Sequence, residues 1–261
     1  MSVLTKRVDG LKCAPAFASL AHSLAVYYGD APREAAMDSL YACFVRPGDL
    51  AFDIGSHVGD RIGAFRRIGA RVVALEPQPL CAEVIRALYG DDASVSLFEG
   101  ACGPKAGRLR LHINSANPTV TTASLDFVKA ADGAGGWEGQ VWDREIEVPV
   151  TTLDTLIADH GMPAFVKIDV EGFEADVLAG LTQPPPALSF EFTTIQRDVA
   201  LACLDRIEAL GDYRFDVALG ESQTLELGRW VTPDAMRRHI TLLPHEANSG
   251  DVYAVLQSGS T

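Results

Sequence analysis

The sequence predicts an α/β fold of the Rossmann-like, doubly wound kind: a mostly parallel sheet flanked by helices, behind a helical N-terminal extension. Three observations predict it. Short apolar runs at 50–55, 70–77 and 93–101 alternate with helical patterns at 59–69 and 79–90, a rhythm that builds βαβ crossovers. The first run ends in a glycine-bearing turn, Asp53-Ile54-Gly55-Ser56-His57-Val58-Gly59-Asp60. The second ends in an acid, Glu76.

Residues 1–47 come first and read as helical, with ASLAHSLAVYY and PREAAMDSLYACFV at helical apolar spacing and Pro32 suited to a first turn. Arg46-Pro47-Gly48-Asp49 breaks the pattern, so the chain divides into an extension (1–47) and a main domain (48–261). RLRLHIN (108–114) alternates like an extra strand. Residues 115–147 are polar and carry Trp137 and Trp142; a stretch of that length inside a compact domain predicts a lid or substrate loop. Beyond it, VTTLDTLIADHG reads as a helix, AFVKIDV as a strand, EADVLAGL as a helix, ALSFEF as a strand and DVALACLDRIEALG as a helix. The end, YRFDVALG, TLEL and GDVYAVL, supplies two or three β segments with a short helix near Pro233–His239.

A formal net charge of −13 over 261 residues disfavours a phosphate-backbone partner, and no Lys/Arg cluster offsets it. The five scattered cysteines suit reduced thiols. The first residues lack an apolar leader and no run reaches a membrane span. The expectation is a cytoplasmic protein with no nucleic-acid or membrane partner, its oligomeric state undetermined.

At the glycine turn the spacing GxxxG, with an aspartate two residues ahead of the first glycine, differs from the GxGxxG that cradles a pyrophosphate. A nucleoside with no phosphate but with an amine and a carboxylate fits it better: Asp53 would take the ammonium and backbone N–H groups the carboxylate. The plain alternative is a tight βα turn. Glu76 sits where doubly wound folds place the acid that accepts the ribose hydroxyls; the alternative is a surface glutamate. Lys167 and Asp169, two apart on an apolar strand, point to one face. With Glu191 on the neighbouring strand they predict a polar cluster at the carboxyl edge, either a catalytic group with a carboxylate base or an ion pair that satisfies a buried lysine. In a variant, Asp169 and Glu191 are oxygen ligands for Mg²⁺. His57 and His112 are further candidate bases, and Trp137 and Trp142 either stack on an acceptor or anchor the lid.

VPVTTLDTLI, FVKIDVEGFEADVLAGL and PALSFEF, together with DIGSHVGD and VVALEPQP, resemble the FkbM family of methyltransferases through most of residues 46–192. The resemblance implies a class I methyltransferase fold with a seven-stranded, mostly parallel sheet, S-adenosylmethionine as donor, and O-methylation of a small-molecule hydroxyl, on a sugar, glycoside or natural product. It implies that Asp53, Gly55 and Gly59 hold the methionine end and Glu76 the ribose, with Ser56, His57, Asp60, Pro77 and Gln78 as further cofactor-binding residues. Gly100 and Ala101 would flank the adenine, and Asp169 would lie near the methyl. His57 stands where asparagine is expected. His57, His112 and Trp142 are the candidate acceptor contacts. Two other readings remain: an NAD(P)-linked oxidoreductase, which lacks GxGxxG and a Tyr-x-x-x-Lys pair, and a non-catalytic nucleoside-binding module.

Overall fold

The computed structural model describes residues 3–257. Strands β1 (Leu50–Ile54), β2 (Arg71–Leu75), β3 (Val95–Phe98), β7 (Phe165–Ile168), β8 (Ala187–Thr193), β9 (Tyr213–Leu219) and β10 (Ser249–Leu256) form one sheet in the order β3-β2-β1-β7-β8-β10-β9. All run parallel except β10, which lies antiparallel to both neighbours. The expected seven-stranded, mostly parallel sheet is present. Its order reverses between β1 and β7, the switch point at which open α/β sheets form ligand crevices.

Residues of β1 are buried along their whole length, as a central parallel strand covered on both faces requires. One face carries α4 (Asp60–Ile68), α5 (Pro79–Tyr89) and the N-terminal extension. The extension consists of α1 (Val3–Cys13), a 3₁₀ turn at Pro15–Leu20, α2 (Ala21–Tyr27) and α3 (Ala31–Tyr41). Asp30 starts α3 by accepting the Arg33 N–H at 3.0 Å, with Pro32 in the first turn. Leu20, Leu24, Met37 and Tyr41 share one apolar cluster with Phe65 of α4 and Phe165 of β7. The extension is therefore packed on the sheet, and each fully buried large apolar side chain there contributes about 1.5–3 kcal/mol. The other face carries α7 (Leu153–His160), α8 (Glu174–Ala179), α9 (Arg197–Leu210) and α10 (Pro233–Leu242).

Strands β4 (Ala101–Cys102), β5 (Gly107–Ile113) and β6 (Arg144–Thr151) make a second, three-stranded sheet. The expected extra strand at 108–114 is β5, and its partner strand takes in the last residues of the expected lid. Residues 144–147 pair with β5, and Val150 and Thr151, expected in a helix, end β6. Thr152 caps α7 instead, accepting the Thr155 N–H at 3.0 Å. The rest of the lid holds a 3₁₀ turn at Pro118–Val120 and α6 (Leu125–Ala131) over a small core of Val120, Phe127, Ala131 and Trp137. TLEL forms no strand: Glu226 and Leu227 N–H groups bond the Val217 carbonyl and the Asp216 carboxylate. Among the described residues all five cysteines are free, and no helix is long and apolar enough to cross a membrane.

Candidate active site

The site begins where β1 ends. Gly55 takes φ +84°, and a Cβ there would stand 1.7 Å from the Asp169 carbonyl oxygen, so only glycine lets the β1 and β7 ends close together. The Gly55 and Ser56 N–H groups both donate to the Leu75 carbonyl at 3.0 Å, which ties the turn to β2. His57 follows at φ +49°. Its N–H donates to Glu76 Oε2 at 2.7 Å, while the Gln78 N–H donates to Glu76 Oε1 at 2.8 Å. Each Glu76 oxygen keeps a second lone-pair site, so the carboxylate is oriented by the backbone and open to two hydroxyls. Burial pushes Glu76 up to about 8 against the pull of those two N–H donors.

At the end of β7, Lys167 is 1% exposed and donates to Asp169 Oδ2 at 2.7 Å, with Asp251 Oδ1 at 3.5 Å. The parallel register sets Lys167 beside Ser189, and Glu191 lies two residues further along β8. Burial opposes ionisation of Asp169, but the Lys167 charge and hydrogen bond hold it below the usual carboxylate value. Glu191 brings a carboxylate oxygen within 4.8 Å of Asp169. Burial, then the charges of Asp169 and Glu171, push Glu191 well up; like charges at this spacing cannot all ionise. Glu171 is raised in the same way. It sits at φ +55° in the turn ahead of α8. Glu174 is helical, and its Oε1 accepts the Val170 and Gly172 N–H groups at 3.0 and 3.2 Å.

One cleft gathers these groups. Of the residues singled out in the sequence, Gly55, Ser56, His57, Asp60, Glu76, Pro77, Gly100, Ala101, Lys167, Asp169 and Glu191 line it, as does Trp137 from the lid. His57 is neutralised by burial, and its Nε2 stands 3.4 Å from the Thr119 hydroxyl.

Five predicted contacts fall elsewhere. Asp53 is 0% exposed within β1, behind the turn, and its carboxylate has no partner; burial pushes it up to about 6. Gly59 caps α4 at φ +82° against the Tyr89 ring. Gln78 caps α5, accepting the Leu80 and Cys81 N–H groups. His112 is buried on β5 beside Thr122, 3.3 Å from Glu145. Trp142 donates to the Val120 carbonyl at 2.8 Å and packs edge-on to Phe127. Tyr27, Arg61, Thr119, Glu221 and Asn248 also line the cleft and were not anticipated. They reach it from the extension, α4, the lid and the segment after β9, and only the position of Arg61 one turn past the glycines offered a local signal.

The methyltransferase FkbM domain family matches residues 53–210. The 31-O-demethyl-FK506 methyltransferase FkbM of Streptomyces tacrolimicus is 28% identical over 158 residues, which are 52% of this chain and 61% of that protein. The chain thus spans less than two thirds of that relative. Solved structures similar to it include precorrin-6y C5,15-methyltransferase from Geobacter metallireducens GS-15, at 14% identity over 86% of this chain and 87% of that one with a TM-score of 0.42. MtNAS in complex with MTA and tNA is 14% identical, covering 98% of this chain and 70% of that one at a TM-score of 0.43. The NAD(P) reading gives way to the family match, and the strand order is that of a class I methyltransferase sheet. The chain belongs to the FkbM family of S-adenosylmethionine-dependent methyltransferases.

Proposed function

We propose that the protein methylates a hydroxyl of a small-molecule acceptor, a sugar or a natural product, with S-adenosylmethionine as donor. The observation that carries this reading is the carboxyl cluster in the cleft: Asp169, Glu171 and Glu191 each offer an oxygen within 4.8 Å of the others. When bound, the donor supplies an electrophilic methyl on a sulfonium. A hydroxyl that attacks it has to lose its proton. Asp169, held ionised by Lys167, is a weak base and serves to orient the groups around it. Glu191, pushed well up by burial and its acidic neighbours, is lowered again by positive charge entering beside it, which leaves a carboxylate suited to accept a hydroxyl proton. Glu191 is thus the base, Lys167 and Asp169 position it, and the lid excludes water. The name of the Streptomyces relative, a methyltransferase of an O-demethyl compound, supports an oxygen acceptor.

A second reading puts Mg²⁺ on the same three carboxylates, an all-oxygen set of the kind that ion takes. Lys167 already neutralises Asp169 at 2.7 Å, which favours the metal-free form. A panel of glycoside and macrolide hydroxyls, assayed by product mass with and without EDTA, tests both. Transfer that survives EDTA and falls in Glu191→Gln supports the first reading; loss with EDTA and recovery with Mg²⁺ supports the second. Donor uptake with no transfer to any hydroxyl would fit a nucleoside-binding module.

A further inference from the structure

Four of the N–H groups in the Gly55–Gly59 turn are already engaged: Gly55 and Ser56 with Leu75, His57 with Glu76, and Gly59 with the Ser56 carbonyl at 2.7 Å. Those four donors are therefore not free to receive a carboxylate. A guanidinium stands ready instead. Arg61, on the first turn of α4, lines the cleft and is 7% exposed. Its Nη1 donates to Asp60 Oδ2 at 2.5 Å and its Nη2 to Glu221 Oε2 at 3.1 Å. Arg33 reaches the same two oxygens from its Nη2, at 3.0 and 2.7 Å, with its guanidinium 4.7 Å from the centre of the Tyr27 ring. Arg61 Nε, and Arg33 Nε and Nη1, are buried with no acceptor among the described residues. A buried donor left without a partner is costly, and the planar fork of arginine suits a carboxylate.

Charge points the same way. The cleft is lined by Asp60, Glu76, Asp169, Glu171, Glu191 and Glu221, against two cationic side chains, Arg61 and Lys167. Lys167 is held between Asp169 and Asp251. S-adenosylmethionine carries two positive groups, a sulfonium and an ammonium, and one negative group. The acids answer the first two, and Arg61 is the cationic lining group whose buried Nε has no acceptor among the described residues.

We propose that Arg61, backed by Arg33, is the subsite for the carboxylate of the donor's amino-acid tail, and that Glu221 at the rim holds the fork when the tail is absent. The proposal rests on the methyl donor assigned above and adds to it the place of its anion. Arg33 and Glu221 both lie outside the stretch that matches the family, so the extension and the segment after β9 complete the pocket.

Calorimetry with two probes tests it. S-adenosylhomocysteine has the tail; 5′-methylthioadenosine keeps the nucleoside and thioether without it. Arg61→Gln is expected to weaken the first by at least about 10-fold and leave the second within about 2-fold. Glu221→Gln, a change at a half-exposed rim residue, is expected to tighten S-adenosylhomocysteine about 3-fold or more, again with 5′-methylthioadenosine unchanged. Equal losses for both probes in Arg61→Gln, or no gain in Glu221→Gln, would overturn the proposal and leave Arg61 a strut in the cleft wall. Wild-type protein that bound neither probe would remove the donor assignment itself, a distinguishable failure.

Discussion

The carbonyl oxygen of Asp169 occupies the space that a Cβ on Gly55 would need, at 1.7 Å. Gly55 also takes φ +84°, so two independent constraints act on one residue. Gly55→Ala is expected to force the β1 and β7 ends apart, with a loss of stability of about 1–3 kcal/mol from backbone strain alone. Binding of S-adenosylhomocysteine should fall with it. Thermal melts and calorimetry on the purified variant check both.

Glu191 and Lys167 should separate by readout. Glu191→Gln is nearly isosteric and removes only the acid–base group, so methyl transfer should drop about 100-fold or more while S-adenosylhomocysteine affinity changes little. Lys167→Met instead leaves the buried Asp251 and the part-buried Asp169 without their cation, and breaking a buried pair costs about 3–5 kcal/mol. Chemical denaturation of both variants beside their turnover numbers makes the comparison.

Stability of the donor-free protein should decline as pH rises. Burial pushes Asp53, Glu76 and Glu174 up to about 6, about 8 and about 7. A carboxyl that holds its proton more tightly when folded stabilises the fold at low pH, and that stability is lost as pH climbs towards its folded value. The window therefore runs from about pH 4 to about pH 8. Glu221 acts oppositely but outside it: burial resists ionisation, Arg61 and Arg33 prevail, and its contribution is lost only as pH falls towards about 2. Asp53→Asn should raise the melting temperature at pH 8 and change it little at pH 4, because the carboxylate it replaces is buried without a partner.

Trp142 lies off the cleft lining and ties Val120 to Phe127. Trp142→Ala is expected to speed hydrogen exchange across 118–131 and raise the KM for acceptor more than for donor. Equal changes in both constants would mean that the substitution had loosened the whole cleft.

What the sequence made legible was the part set by short-range periodicity. A strand's two-residue repeat put Lys167 and Asp169 on one face, and the parallel register brought Glu191 alongside. Glycines at the β1 end and an acid at the β2 end marked the turn and Glu76. Other polar residues at similar places lie off the cleft lining. Asp53 is one step too early in β1 to reach the cleft, and Gln78 caps a helix. Strand β6 was hidden by its exposed charged residues and by Pro149, which lies ahead of the point where β4 begins to pair. Tyr27, Arg33 and Glu221 could not be read locally: Arg33 reaches Asp60 across 27 residues, Glu221 reaches Arg61 across 160, and Tyr27 meets Arg33 and His57.

Glu76 is the most direct test of the central claim that this cleft holds the nucleoside of S-adenosylmethionine. Titration of S-adenosylhomocysteine into wild-type protein should give saturable one-to-one binding, and Glu76→Ala should weaken it by at least about 10-fold through loss of charge-assisted hydrogen bonds to the ribose. An affinity unmoved by that substitution in a folded variant, or no heat of binding to the wild-type protein, would contradict it.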